Sequence, residues 1–352
     1  MRSRIRPALR TPSLLWHCKT VEVSKALARG GRLEWRAEYI VGLRGQIRSA
    51  VKGVDDMLSS LNYQVRSRPW LGRLVLKVIP DLRCQITVAP LGRLAIRLRQ
   101  HRMFWLRPPL VHEGFMLGSL QRLLREGDVA YDVGANIGLY CRFMVQVFKA
   151  SHVYAFEPMA NNCSVLAENL EIAGCTEKAT IIPCAIGDQD GTCDFQVDRL
   201  TSNSGALDAV NRGKASASHS QYGLPAAVER VTASRLDTLL ETRGLLKPDV
   251  IKLDVEGAEA MALEGARHLL SRYRPRLVIE LHGAETARRV LEILWNLDYH
   301  CFGYLDINGV STYKKLTVAD LPCITELYSL HYLVASTTPD DLLRPIKDFS
   351  LA

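Results

Sequence analysis

No stretch of this 352-residue chain approaches the roughly 18 consecutive apolar residues of a membrane-crossing helix. There is no C-x-x-C pair. The nine cysteines are odd in number and scattered over positions 18, 84, 141, 163, 175, 184, 193, 301 and 323, which argues against both a zinc site and a disulfide framework. Cys141, Cys184 and Cys301 sit in apolar stretches and read as small core residues, as expected in a reducing cytoplasm. A secretory apolar core and small-residue cleavage site are also missing. The opening MRSRIRPALRTPSLLW therefore reads as a cytoplasmic basic arm rather than a leader. No internal repeat is present.

Acid is scarce at the front. Residues 1–110 hold 22 Lys and Arg against 6 Asp and Glu, whereas the rest holds 23 against 31. The change of sign falls near the RPPL at 107–110. It sets the expected division into a basic extension at 1–105 with a small helical or β cap, a catalytic domain at 106–338, and a tail at 339–352. A basic arm can meet phosphates, an anionic membrane surface, or the acidic face of its own catalytic domain. Nucleic acid is disfavoured, because no aromatics are interleaved with the basic residues.

What is present is an ordinary 47% hydrophobic content and a change of rhythm along the chain. Residues 37–61 carry apolar positions at mixed helical spacing. The segments at 74–80, 83–90 and 93–98 alternate like short strands broken at Pro80, Pro90 and Gly92. From Phe115 the pattern becomes α/β. Strands are expected at 129–133, 152–156, 179–185, 250–253 and 277–281, and helices at 118–125, 138–148, 159–173, 237–243, 258–272 and 284–297. An antiparallel pair is expected at 192–197 and 228–233 around a long polar loop, with two last strands at 300–305 and 330–335 forming an antiparallel edge. This alternation implies a doubly wound, mostly parallel sheet with helices on both faces.

Three segments end an apolar run in an acid and then turn. DVGANIG at 132–138 sets Asp132, Gly134, Asn136 and Gly138 where a strand gives way to a helix, whose first N–H groups are open to a ligand. AFEP at 155–158 ends in Glu157, where a carboxylate can accept from ribose hydroxyls. IKLDVEG at 251–257 carries Asp254 and Glu256. In an open parallel sheet these strand ends share one crevice. A dinucleotide loop of the G-x-G-x-x-G kind is disfavoured, because Asn136 stands at its second glycine.

With ENL at 168–170, AIGD at 185–188, RLDTLL at 235–240, PDVIKLDVEGAE at 248–259 and IELH at 279–282, these segments resemble the FkbM family of S-adenosylmethionine-dependent methyltransferases over residues 110–335. The resemblance implies a Rossmann-like class I methyltransferase sheet. It also implies O-methyl transfer to a hydroxyl of a sugar, glycolipid or secondary metabolite. In that reading Asp132 lies near the cofactor's ammonium group, Gly134, Asn136 and Gly138 shape the floor, and Glu157 holds the ribose. Asn162, Cys184 and Ala185 border the adenine. Asn203 and Ser204, in a Ser/Asn/Gly segment like the family's, reach the acceptor. Cys141 departs from the hydroxyl residue common there.

Four residues are candidates for the reactive half: Asp254, Glu256, Glu280 and His282. Either Asp254 or His282 serves as general base, or the four hold a divalent cation. Glu259 and Glu264 read as solvated acids on a helix face. Two other functions stay open: a nucleic-acid methyltransferase guided by the basic arm, although DVEG stands where an N/D-P-P-Y/F motif would, and a non-catalytic protein that binds the cofactor.

Overall fold

The computed structural model describes residues 80–101, 104, 113–197, 205–207, 227–307, 310–327 and 330–343. All of them fall in one compact unit. The helices expected at 37–61 and the first strand expected at 74–80 lie outside the described residues, apart from Pro80.

Eight strands form the main sheet: β3 (Val129–Val133), β4 (His152–Phe156), β5 (Ala179–Ile182), β10 (Val250–Leu253), β11 (Arg276–Glu280), β12 (His300–Ile307), β13 (Val310–Lys315) and β14 (Leu330–Ser336). Their order is β13-β12-β14-β11-β10-β3-β4-β5. The run from β11 through β5 is parallel. β14 is antiparallel to both β11 and β12, so β12 again runs with the parallel set. This is a doubly wound sheet with an antiparallel edge, as the sequence implies. β13 is an addition, paired to β12 as a hairpin.

Strand residues alternate between two cores. Ala130, Val250, Val278 and Val334 share one with the helices α1 (Gly114–Leu123), α2 (Leu139–Arg142) and α3 (Ala160–Ile172). Tyr131, Ile251, Ile279 and Leu333 share the other with α4 (Leu236–Arg243), α5 (Glu259–Glu264), α6 (Arg267–Tyr273), α7 (Ala284–Asn296) and α8 (Leu321–Leu327). With both faces covered, β10 is buried throughout, its apolar Val250, Ile251 and Leu253 along with Lys252.

Two expected helices are interrupted. The one expected at 138–148 tightens into α2 and then widens into a π-turn over Phe143–Val147, where Phe143, Met144 and Val145 are buried. The one expected at 258–272 breaks at Gly265. A Cβ at this position would lie 1.9 Å from the Gly187 carbonyl oxygen, so only glycine permits the approach. The new start, α6, is capped from another helix: Asp237 accepts the backbone N–H groups of His268 and Leu269 at 3.0 and 2.8 Å.

A hairpin of β1 (Arg83–Val88) and β2 (Gly92–Arg97) precedes the sheet. Its Leu94, Ala95 and Ile96 are buried in the same core as α1 and α3. Fully buried Asn169 on α3 accepts from the Ala95 N–H at 2.6 Å, and it donates to the carbonyls of Ala95 at 3.0 Å and Ile137 at 2.8 Å. Arg142 donates to the carbonyls of Leu91 and Arg93. A second, smaller sheet runs β6-β9-β7-β8, from Ala185–Ile186, Ala227–Ser234, Gly191–Val197 and Gly205–Leu207. Its β7 and β9 are the antiparallel pair expected from sequence.

Candidate active site

β3 leads on to β4 on one side, and β10 leads on to β11 on the other. The two central strands therefore meet at the switch point where α/β sheets bind ligands. A cavity of about 330 Å³ opens there. Gly134, Asn136, Glu157, Asn162, Cys184 and Ala185 line one part of it, and Asp254, Glu256, Glu280 and His282 another. Ten of the candidate residues thus share one cavity. Asn203 and Ser204 lie outside the described residues.

The turn after β3 has Gly134 at φ 79°, Asn136 at φ 50° and Gly138 at φ 84°. A Cβ at residue 134 would stand 1.9 Å from the Asp254 carbonyl oxygen, so this turn and the one after β10 touch through a glycine. Gly138 is not in the cavity wall. It caps α2 and lies against Leu166. Glu157 bridges backbone at the end of β4. Its two oxygens accept the N–H groups of Asn136 and Met159, each at 2.9 Å, and Asn162 Nδ2 lies 3.3 Å from one of them. Burial raises the Glu157 carboxyl to about 7 against those hydrogen bonds.

Asp132, expected near the cofactor's ammonium group, stands behind the cavity wall. It is fully buried and does not line the cavity; Lys252 stands beside it. The strand register sets Asp132 directly opposite Lys252, on the same face of neighbouring strands. Lys252 Nζ lies 3.2 Å from Asp132 and 3.5 Å from Asp254. It donates to the Gly134 carbonyl at 2.8 Å and sits 4.8 Å from the centre of the Tyr140 ring. Burial alone would lower the Lys252 pKa, but Asp132 and Asp254 outweigh it and hold the ammonium above its ordinary value. Lys252 Nζ also lies 3.5 Å from the Val133 carbonyl oxygen.

Across the cavity, His282 Nδ1 is 2.9 Å from Glu259, while Nε2 is 3.5 Å from Glu256 and 3.8 Å from Glu280. Burial would lower His282, but the Glu259 hydrogen bond and the charges of Glu256, Glu259 and Asp254 raise it to about 10. Burial also raises Glu256 to about 7 and Glu280 to about 8. Glu259 is no solvated acid: it is fully buried. Glu264 does face outward and pairs with Arg267.

Further residues of the site escaped the sequence reading. Tyr140 donates to Glu113, and both line the cavity with Tyr332 and Phe104. Tyr332 lies directly across the register from Glu280. The available signal was a lysine inside the otherwise apolar VIKL strand, since a buried ammonium needs acids beside it.

The donor set fits a nucleoside cofactor. Glu157 keeps lone-pair capacity beside its three contacts, and the buried Asn162 Oδ1 has no hydrogen-bond partner among the described residues. A divalent cation fits less simply. Atoms of Asp254, Glu256 and His282 lie within 4.8 Å of one another, without Glu280. A cation there competes with the His282 proton.

Residues 132–301 match a family model described as "Methyltransferase FkbM domain". The chain is 30% identical over 169 residues to the hexuronic acid methyltransferase AglP of Haloferax volcanii, covering 48% of this chain and 62% of that protein. It is 28% identical over 184 residues to the 31-O-demethyl-FK506 methyltransferase FkbM of Streptomyces tacrolimicus, covering 47% and 69%. It is 27% identical over 156 residues to the 2-O-methyltransferase NoeI of Sinorhizobium fredii, covering 43% and 63%. The chain spans about three fifths of the length of AglP and NoeI.

Proposed function

For a chain whose residues 132–301 belong to the FkbM methyltransferase family, we propose S-adenosylmethionine-dependent methyl transfer to a hydroxyl of a sugar, glycolipid or secondary metabolite. One observation carries the reading: a single cavity joins the glycine turn and Glu157 to the acids of β10 and β11. The names of two relatives, the 31-O-demethyl-FK506 methyltransferase FkbM and the 2-O-methyltransferase NoeI, support an oxygen acceptor, and the name of AglP supports a sugar acid.

When bound, the cofactor supplies an electrophilic methyl group on a sulfonium. Glu157 takes a ribose hydroxyl, and the Gly134–Gly138 turn supports the methionine end. Asp132 acts from behind, by holding Lys252 against Gly134 and Asp254. On the acceptor side of the cavity, a carboxylate would take the proton that the acceptor hydroxyl gives up. Of the two bases left open by sequence, Asp254 takes this role, because His282 already carries its proton at neutral pH. Glu280 and Glu256, with pKa values of about 8 and 7, are tuned to accept that proton onward. Positioning supplies much of the rate in such a reaction.

A second reading, a divalent cation at Asp254, Glu256 and His282, is favoured by the convergence of their ligand atoms. Titration with manganese tests it: a rise in melting temperature that Glu256→Ala removes supports it, and no rise overturns it. Free thiols at all eight described cysteines accord with a reducing cytoplasm as the place of action.

Calorimetric titration with S-adenosylmethionine, with NAD in parallel and Glu157→Ala as control, tests the main reading. Saturable binding of S-adenosylmethionine alone, lost in the variant, supports it. A folded chain that binds neither ligand overturns it.

A further inference from the structure

Glu259 opens α5, where an acid ordinarily faces solvent and gains a little from the helix dipole. Here it is fully buried, and its Oε2 has no hydrogen-bond partner among the described residues. Burying a carboxylate with an oxygen unmatched is unfavourable. The other oxygen explains why the residue lies inward. Oε1 accepts the Gly257 N–H at 2.9 Å, meets His282 Nδ1 at 2.9 Å, and lies 3.4 Å from the Val255 N–H.

Glu256 lies between the two gripped backbone positions, with φ at 51°. A residue with a side chain seldom adopts that conformation unaided. The same Glu259 oxygen makes His282 Nδ1 a donor, which turns Nε2 toward Glu256 and Glu280. One atom therefore ties together the turn after β10 and the end of β11.

We propose that Glu259 is a positioning residue, which locks Glu256 and His282 into one arrangement through a shared carboxylate oxygen without touching cofactor or acceptor. The proposal rests on the methyl-transfer reading for its kinetic consequence only; the lock itself is a matter of geometry. A merely structural Glu259 would stabilise α5 and leave His282 indifferent to its loss.

The experiment compares Glu259→Gln, Glu259→Leu, His282→Ala and the double variant Glu259→Gln with His282→Ala, all in the full chain. Proton NMR follows the downfield His282 Nδ1–H signal, identified by its absence in His282→Ala. The expected result is loss of that signal in Glu259→Leu and a clear upfield shift in Glu259→Gln, with S-adenosylmethionine affinity changed less than about twofold. Turnover of Glu259→Gln falls at least about tenfold, and the double variant is no slower than the slower single variant, as expected for residues acting as one unit. An unmoved signal, or fully additive losses, overturns the proposal. If Glu259→Leu fails to fold, Glu259→Gln alone decides. If the chain transfers no methyl group to any acceptor, the functional reading fails while the NMR signal still settles the lock.

Discussion

Lys252 and Asp132 form an ion pair beyond the reach of water: Nζ lies 3.2 Å from Oδ1, and both side chains are fully buried. Removing the cation leaves a buried acid alone, which costs about 3–5 kcal/mol. Lys252→Met should therefore lower the urea midpoint sharply, and adding Asp132→Asn should restore much of it. Equal midpoints for the single and double variants would show that the two residues are not coupled.

Gly134 has no room for a side chain, since its Cβ would lie 1.9 Å from the Asp254 carbonyl oxygen and its φ is 79°. Gly134→Ala should displace the turn and weaken S-adenosylmethionine binding by at least about tenfold, or about 1.4 kcal/mol. Calorimetry on the folded variant measures this; unchanged affinity would mean that the turn does not support the cofactor.

Asp254→Asn keeps the shape of the side chain and removes its capacity as a base. Turnover should fall by about 10²–10⁴ with cofactor affinity nearly unchanged, in the range seen for general bases. Single-turnover methyl incorporation gives the comparison, and retained turnover would move the base to another carboxylate.

Stability of the free protein should fall as pH rises. Burial raises Glu157 to about 7, Glu256 to about 7 and Glu280 to about 8. Their contribution to stability is complete below the ordinary carboxyl value and is lost as pH climbs through the folded values. His282 adds to the trend. Against burial, its acid neighbours raise it to about 10, so its contribution is complete below the ordinary histidine value and is lost as pH passes about 10. The groups facing it are Glu259 from α5, Asp254 and Glu256 from the turn after β10, and Glu280 from β11. Melting temperatures should be higher at about pH 5.5 than at about pH 9; the reverse order would contradict these shifts.

Much of this fold can be read directly from sequence. The bounds of β3, β4 and β10 match the expectation because each is a short apolar run ended by turn residues. The break between α5 and α6 is not legible, because its cause is the carbonyl of Gly187, distant in sequence from Gly265. Glu259 misleads for a similar reason. Its position on a helix says nothing of the histidine and the turn that enclose it. β13 and α8 carry too little apolar periodicity to stand out. Within the site, the strand-end acids and glycines announce themselves by motif. The Asp132–Lys252 pair emerges only from the register between β3 and β10.

The bonds between Ala95 and Asn169 join residues 74 positions apart. A chain made from its N-terminus exposes the hairpin first. At roughly 5–20 residues per second, roughly 4–15 s pass before α3 is synthesised. Through that interval Leu94 and Ile96 have no α3 to cover them, and once Ile137 is made its carbonyl waits a further 32 residues for Asn169. The turn after β3 thus gains its Asn169 bond only once α3 has been made, so its final form matures late during translation.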